Sequence, residues 1–364
     1  MILKSTHLPF YAKFALVLIG MMALGFLIIL GKELLDPLMF GFLFAILLLP
    51  LCNFFERKFK MPRSMASFLA ILLMVTFIGG IVYLIGTQIS NLANDWPMLK
   101  AQVAKSFADM QVWIQHTFHI NAEKQMVYVN DTTDKLVASG TSIFGTTFGA
   151  VSSLLLFYVF ILIFTFLILF YRRLLFRFVI YVFDEEAAAT VNTIAENIQS
   201  ILRQYILGLL LEMLIVAVVA CIAFWIIGVK YAILLGIITG LFNIIPYVGI
   251  FSALLLSALI TFATGAISKA VIVAVVVIII HAIDANVILP MVVGSKVRLN
   301  ALITFIGIIV GEMLWGLSGM FLSIPVIAIF KIIFDNIKDL KPWGYLLGGD
   351  YEYKKEAEKE MKTE

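Results

Sequence analysis

Four ionisable side chains sit where an apolar chain tolerates them least. His281 and Asp284 interrupt AVIVAVVVIIIHAIDANVILP, Glu312 interrupts ALITFIGIIVGEMLW, and Glu212 falls inside the apolar run that follows Gln204. His281 and Asp284 are three residues apart and share one helical face. An acid at bilayer depth faces the interior and marks a functional site by default. Asp284 can accept a proton, coordinate a cation or hydrogen-bond a hydroxyl-rich solute. The rival reading joins Asp284 and Asn286 in a helix-packing hydrogen bond, and makes His281 a satisfied core histidine. Glu212 can likewise be interfacial, or bonded to Gln204.

These residues must be positioned by segments of awkward length. Residues 231–266 and 301–334 are each far longer than the ~20 residues that cross a bilayer, and too short for two crossings and a turn. Both contain helix breakers: NIIPYVG (Asn243 to Gly249) in the first, and Gly316 to Gly319 followed by Pro325 in the second. Pro246 lacks an N–H and disfavours helical geometry at Ile245, while Gly249 permits a reversal. The freed carbonyls, with Asn243 and the Tyr247 hydroxyl, can face a cation or polar solute; the alternative is a proline kink satisfied locally. Helix N-termini after Gly249 and Gly319 would present positive dipole ends. Irregular backbone at membrane depth survives where it lines a cavity, and paired broken helices mark transporter sites.

The chain has 364 residues, 62% hydrophobic and only 13% charged, and a mean hydropathy of +1.06. A water-soluble protein carries about 25% charge. The net charge of +3 gives no case for nucleic acid. Cys52 and Cys221 lie in apolar runs without metal-ligand spacing. His116 and His119 lack a third ligand, no nucleophile–base constellation argues for an enzyme, and no cofactor is implied.

Apolar spans fall at 14–30, 38–55, 65–89, 147–171, 205–227 and 270–291, in addition to the broken segments. The fold expected is an all-α membrane protein with six spanning helices and two re-entrant hairpins. Residues 1–90 would be scaffold helices and 91–146 an external amphipathic helical segment. Residues 147–203 would hold the fourth span and a cytoplasmic helix, 204–334 the transport half, and 335–364 a charged cytoplasmic tail. With both termini cytoplasmic, most of the 26 basic residues lie inside, as the positive-inside rule favours.

The chain resembles the autoinducer-2 exporter family. The match is carried by GLFNIIPYVG (Gly240 to Gly249) and by the acidic-x-Asn-x-x-x-Pro pattern of Asp284, Asn286 and Pro290. It extends to Gly294, Gly311, Gly316, Gly319 and Pro325, and to Gln204 through Leu235 with Gly208 and Gly228. Asp284 stands where family members more often carry Glu, and Ile250 where a second proline is usual. The resemblance implies a polytopic exporter of the bacterial inner membrane, homo-oligomeric, with a pentamer among the assemblies it offers. Members are assigned to efflux of the autoinducer-2 signal or to sodium(lithium)/proton antiport.

The expectation is therefore a secondary transporter exporting a small polar solute, coupled to H+ or Na+. Asp284, Asn286, Glu312, Asn243, Tyr247 and His281 would form the site. Pro246, Gly249, Pro290, Gly316, Gly319 and Pro325 would break or gate the helices, with Glu212 and Gln204 as secondary candidates. A sodium(lithium)/proton antiporter, a passive oligomeric channel and a membrane scaffold are the rivals.

Overall fold

The computed structural model describes residues 9–95, 101, 105, 154–245, 248–264, 267–292 and 299–348, and among them every regular element is helical. In lipid a backbone must satisfy its own hydrogen bonds, and uninterrupted apolar runs do so as helices. In chain order these are α1 (Phe10–Leu30), α2 (Lys32–Lys58) and α3 (Arg63–Asn94), then α4 (Leu154–Val182). There follow α5 (Glu185–Ile227), α6 (Ala232–Phe242) and α7 (Val248–Thr264). Helix α8 (Ile267–Val292) contains a π turn at Asp284–Ile288. The last are α9 (Ala301–Trp315), α10 (Leu317–Asn336) and α11 (Lys341–Gly348).

Six helices, α2, α3, α4, α5, α8 and α10, are long and apolar enough to cross a membrane. Four contain spans expected from the sequence, and α4 holds the described part, from Leu154, of the span expected at 147–171. The sixth differs: the first expected span forms α1, whose apolar stretch Phe14–Leu30 is shorter, whereas α10 has the length of a crossing by itself. Pro325 is carried inside α10, and the break falls at Gly316. The cytoplasmic helix expected before residue 204 is continuous with the span after it, giving a 43-residue α5. No Gly or Pro stands between Glu185 and Gln204 to stop it. At about 65 Å, α5 is twice the ~30 Å hydrocarbon thickness. Nearly all of the expected external segment, including His116 and His119, lies outside the described residues. So do Pro246, Tyr247, Gly294 and the charged tail from residue 350.

The chain divides into two compact units. Unit one comprises residues 1–45, 157–184 and 299–364. In it Trp315 donates from Nε1 to the Ile28 carbonyl across 3.1 Å, tying α9 to α1. Phe40 of α2 stacks on Phe321 of α10 at 5.5 Å and meets Phe157 of α4 edge-on. Helices α9 and α10 fold back on each other at Gly311 and Gly319, where a Cβ on either would strike the other's carbonyl. Gly316 makes the reversal with φ of 67°, a conformation that favours glycine.

Unit two comprises residues 46–156 and 185–298. Its core joins Val216, Ala220 and Phe224 of α5, Leu234 and Leu235 of α6, and Val273, Val277 and Ile280 of α8. Lipid is as apolar as these side chains, so close packing between small residues decides association. Gly236 and Gly240 supply it: Cβ atoms there would lie 2.5 Å from the Cys221 nitrogen and the Met213 oxygen respectively. Helix α6 thus runs flush and antiparallel against α5. At the opposite end of α6, Lys230 pairs with Asp95 at 2.7 Å, and the Tyr231 hydroxyl donates to the same carboxylate.

Candidate functional site

The flush packing of α6 determines where its C-terminal end lands. Asn243 caps α6, and its Nδ2 donates to Glu212 Oε1 at 2.9 Å and to Asp284 Oδ2 at 2.8 Å. One amide thus bridges two acids from two long helices. The two carboxyl groups themselves come within hydrogen-bonding range. Both are buried, Glu212 at 4% and Asp284 at 6% exposure. Each retains one buried oxygen, Glu212 Oε2 and Asp284 Oδ1, that has no donor among the described residues.

The local sequence accounts for each position. Glu212 falls in the buried row Tyr205, Leu209, Val216 and Ala220 on the packed face of α5, at three- and four-residue spacing. Asp284 opens the π turn, in which the Leu289 N–H reaches back five residues to the Asp284 carbonyl. Pro290 lacks the N–H that would bond the Asn286 carbonyl, and the looser turn accommodates that loss. Such turns occur frequently at functional sites. Helix α6 has 11 residues, about 16 Å. Asn243 consequently lies about half a hydrocarbon thickness from the start of α6.

The other sequence-derived candidates distribute differently. His281 is buried at 4% exposure, one turn from Asp284, with neither ring nitrogen partnered among the described residues. Asn286 is exposed and spends its amide on the Ala282 carbonyl at 2.7 Å. Gln204 donates to Ser200 at 2.8 Å, one turn back. Gly249 closes the first break, since a Cβ there would lie 1.9 Å from the Phe242 oxygen. Glu312 belongs to unit one and is exposed on α9.

Sequence reasoning passed over two buried hydroxyls on the helix that follows the break. Ser257 and Thr261 continue a buried row on α7 with Gly249 and Ala253. Their hydroxyls have no partner among the described residues, whereas Thr239 and Thr264 bond a carbonyl one turn back in their own helices. The four-residue spacing of small residues was the available signal. No group of three or more His, Cys, Asp or Glu capable of holding a metal ion occurs among the described residues. A bridged acid pair at a helix break can instead bind one positive charge. Two adjacent carboxyls away from water are most stable when a proton or small cation is shared between them.

Comparison with known proteins identifies the family. The chain is 26% identical over 316 residues to YrrI of Bacillus subtilis, a transport protein by name, covering 83% of this chain and 86% of that one. It is 25% identical over 297 residues to YueF of the same organism, also named as a transport protein, covering 79% and 80%. A shorter match, 26% over 133 residues, is to PerM of Escherichia coli, a permease by name, covering 36% and 38%. The family model described as AI-2E family transporter matches residues 14–339. Nearly the whole chain is included, so this protein belongs to the AI-2E transporter family and is a multi-pass membrane protein.

Proposed function

We propose that this protein is a secondary active transporter of the bacterial inner membrane, exporting a small polar solute such as the autoinducer-2 signal in exchange for protons or sodium. The observation that carries the reading is the Asn243 amide held between Glu212 and Asp284. In this reading the pair binds the coupling ion. Asn243, at the end of a short helix, senses whether that ion is present. With both acids ionised, the amide's two N–H groups hydrogen-bond them and an incoming cation offsets one of the two negative charges. With one proton bound, a carboxyl can donate to the other carboxyl or to a solute hydroxyl. Alternating access then follows from movement of the first hairpin, α6–α7, against α5 and α8.

The hairpin assignment also belongs to the proposal. We read α6–α7 as entering from the outer face and returning to it, and α9–α10 as doing the same from the cytoplasm. The 11 residues of α6 support the first, because they reach only about halfway through the ~30 Å core. Apolar side chains exposed along α1, such as Met22, Phe26 and Leu30, suit lipid or a second copy of the chain.

Sodium(lithium)/proton antiport is the second reading. It is favoured by the same acid pair, which needs no additional donors for a polar solute. The test is a screen of the purified protein in liposomes against cations and small polar metabolites, with imposed proton or sodium gradients. Gradient-driven flux of one cargo supports the proposal and selects between the readings. Conductance that does not saturate with solute would make the protein a channel instead.

A further inference from the structure

The start of α10 meets a buried acid supplied by α2, Asp36. Asp36, in the second turn of α2, is buried at 5% exposure. The Ser318 side chain of α10 lies within hydrogen-bonding reach of its carboxylate. Asp36 Oδ1 is buried and has no donor among the described residues. Ser318 is the second residue of α10, directly after the Gly316 reversal. Asp36 therefore faces the first turn of a 20-residue helix, whose unpaired N–H groups carry partial positive charge.

The surroundings define which charges act on it. Lys32, one turn earlier in α2, is the cation that influences Asp36. From α10 come Ser318 and, one turn further along α2, the Phe40–Phe321 stack. From α4, Phe157 and Phe164 pack on Phe40 and Gly41, with the Tyr158 hydroxyl, buried and unpartnered among the described residues, as the titratable group of that stretch. Helix α9 contributes the Trp315 bond to α1, while Glu312 is exposed.

We propose that Asp36 is a second proton-binding carboxyl, whose charge state latches the tip of the second hairpin. Ionised, it accepts from the Ser318 hydroxyl and is attracted by the first turn of α10. Binding one proton removes the charge and weakens that hold, leaving Gly316 free to change conformation. A proton suits the site better than a metal ion, because hard cations take about six oxygen ligands and one carboxyl with one hydroxyl supplies fewer. That the latch gates flux rests on the proposed transport function. Proton binding and the latch do not.

The test reads the latch directly. Leu317, exposed at 65%, is replaced by Cys in a Cys52→Ala, Cys221→Ala background, and the full chain in liposomes is labelled with a small maleimide from pH 5.5 to 8.5. Rates are compared at each pH with those of the same protein carrying Asp36→Asn. At high pH the aspartate form should label about two- to fivefold more slowly, the Boltzmann factor for a charge at a helix N-terminus. The two should converge as pH falls. Ser318→Ala should shrink the difference, Asp36→Glu should keep a pH dependence, and Glu212→Gln should leave the profile unchanged. A constant ratio of wild type to Asp36→Asn across the range overturns the proposal, as does a profile abolished by Glu212→Gln. Should Asp36→Asn fail to fold, the Ser318→Ala ratio carries the test: a ratio that changes with pH supports the latch, and a constant one overturns it.

Discussion

The two broken segments solve the same problem with different materials. At the first, the chain stops at Asn243 and its amide meets two buried acids. At the second, a single Gly316 reverses the chain, and the helices behind it touch backbone to backbone at Gly311 and Gly319. The first break is rich in polar atoms, several of them unpartnered among the described residues. The second brings one hydroxyl to one acid. An extensive unsatisfied polar surface is costly in lipid unless it has something to bind. This difference is what supports the proposals of ion binding at the first break and closure at the second.

The sharpest way to break this comparison is at the acid pair. Asp284→Asn and Glu212→Gln should each lower coupled flux by about two orders of magnitude, the scale of disrupting a buried charge arrangement worth ~3 kcal/mol. Glu312→Gln should cost far less. Liposome flux per folded protein decides it, and equal losses at all three acids would erase the contrast.

Next in size is packing at the second break. Gly311→Leu or Gly319→Leu should destabilise by about 1–3 kcal/mol or more through overpacking. Gly20→Leu, where an added Cβ meets nothing within 4 Å, should be neutral. Thermal unfolding in detergent measures both. A smaller effect is expected at the amide, where Asn243→Ala should reduce flux about tenfold, the value of a hydrogen bond to a charged group at ~1.5 kcal/mol. Its folding midpoint should move less than that of the Gly311 and Gly319 variants.

The smallest effect concerns the brace at the start of α6, outside the candidate spans. Hydrogen bonds from Lys230 and then Tyr231 hold the Asp95 carboxyl below the usual carboxylate range. A depressed carboxylate stabilises the fold above its unfolded value, about 4, and loses that contribution as pH falls through the folded value. The small stability difference between wild type and Asp95→Asn should therefore be constant from pH 8 to 5 and shrink below about 4. It should also diminish with salt.

Much of the scaffold was legible, because hydrophobic length alone exposes most spans and both breaks. Asn243 and Asp284 were visible as polar groups in apolar runs. Their junction was not, since it depends on Gly236 and Gly240 packing α6 against α5, a tertiary fact. The inward placement of Glu212 was hidden for the same reason: only the buried row Leu209, Glu212, Val216 shows it. Asp36 was hidden by Lys32 and Glu33, which make the start of α2 resemble an ordinary charged membrane edge. The unbroken α5 was missed because the polar pair Arg203 and Gln204 reads as a boundary, although helix propensity does not stop there.

The central claim is that Glu212 and Asp284 hold one exchangeable positive charge under the control of Asn243. Its most direct test is movement of the coupling ion, recorded with trapped pH- and sodium-sensitive dyes while a gradient of the identified cargo is imposed across the liposome. Wild type should move one of the two ions against that cargo, and the folded Glu212→Gln, Asp284→Asn double variant should move neither. Undiminished ion movement in the double variant would contradict the account.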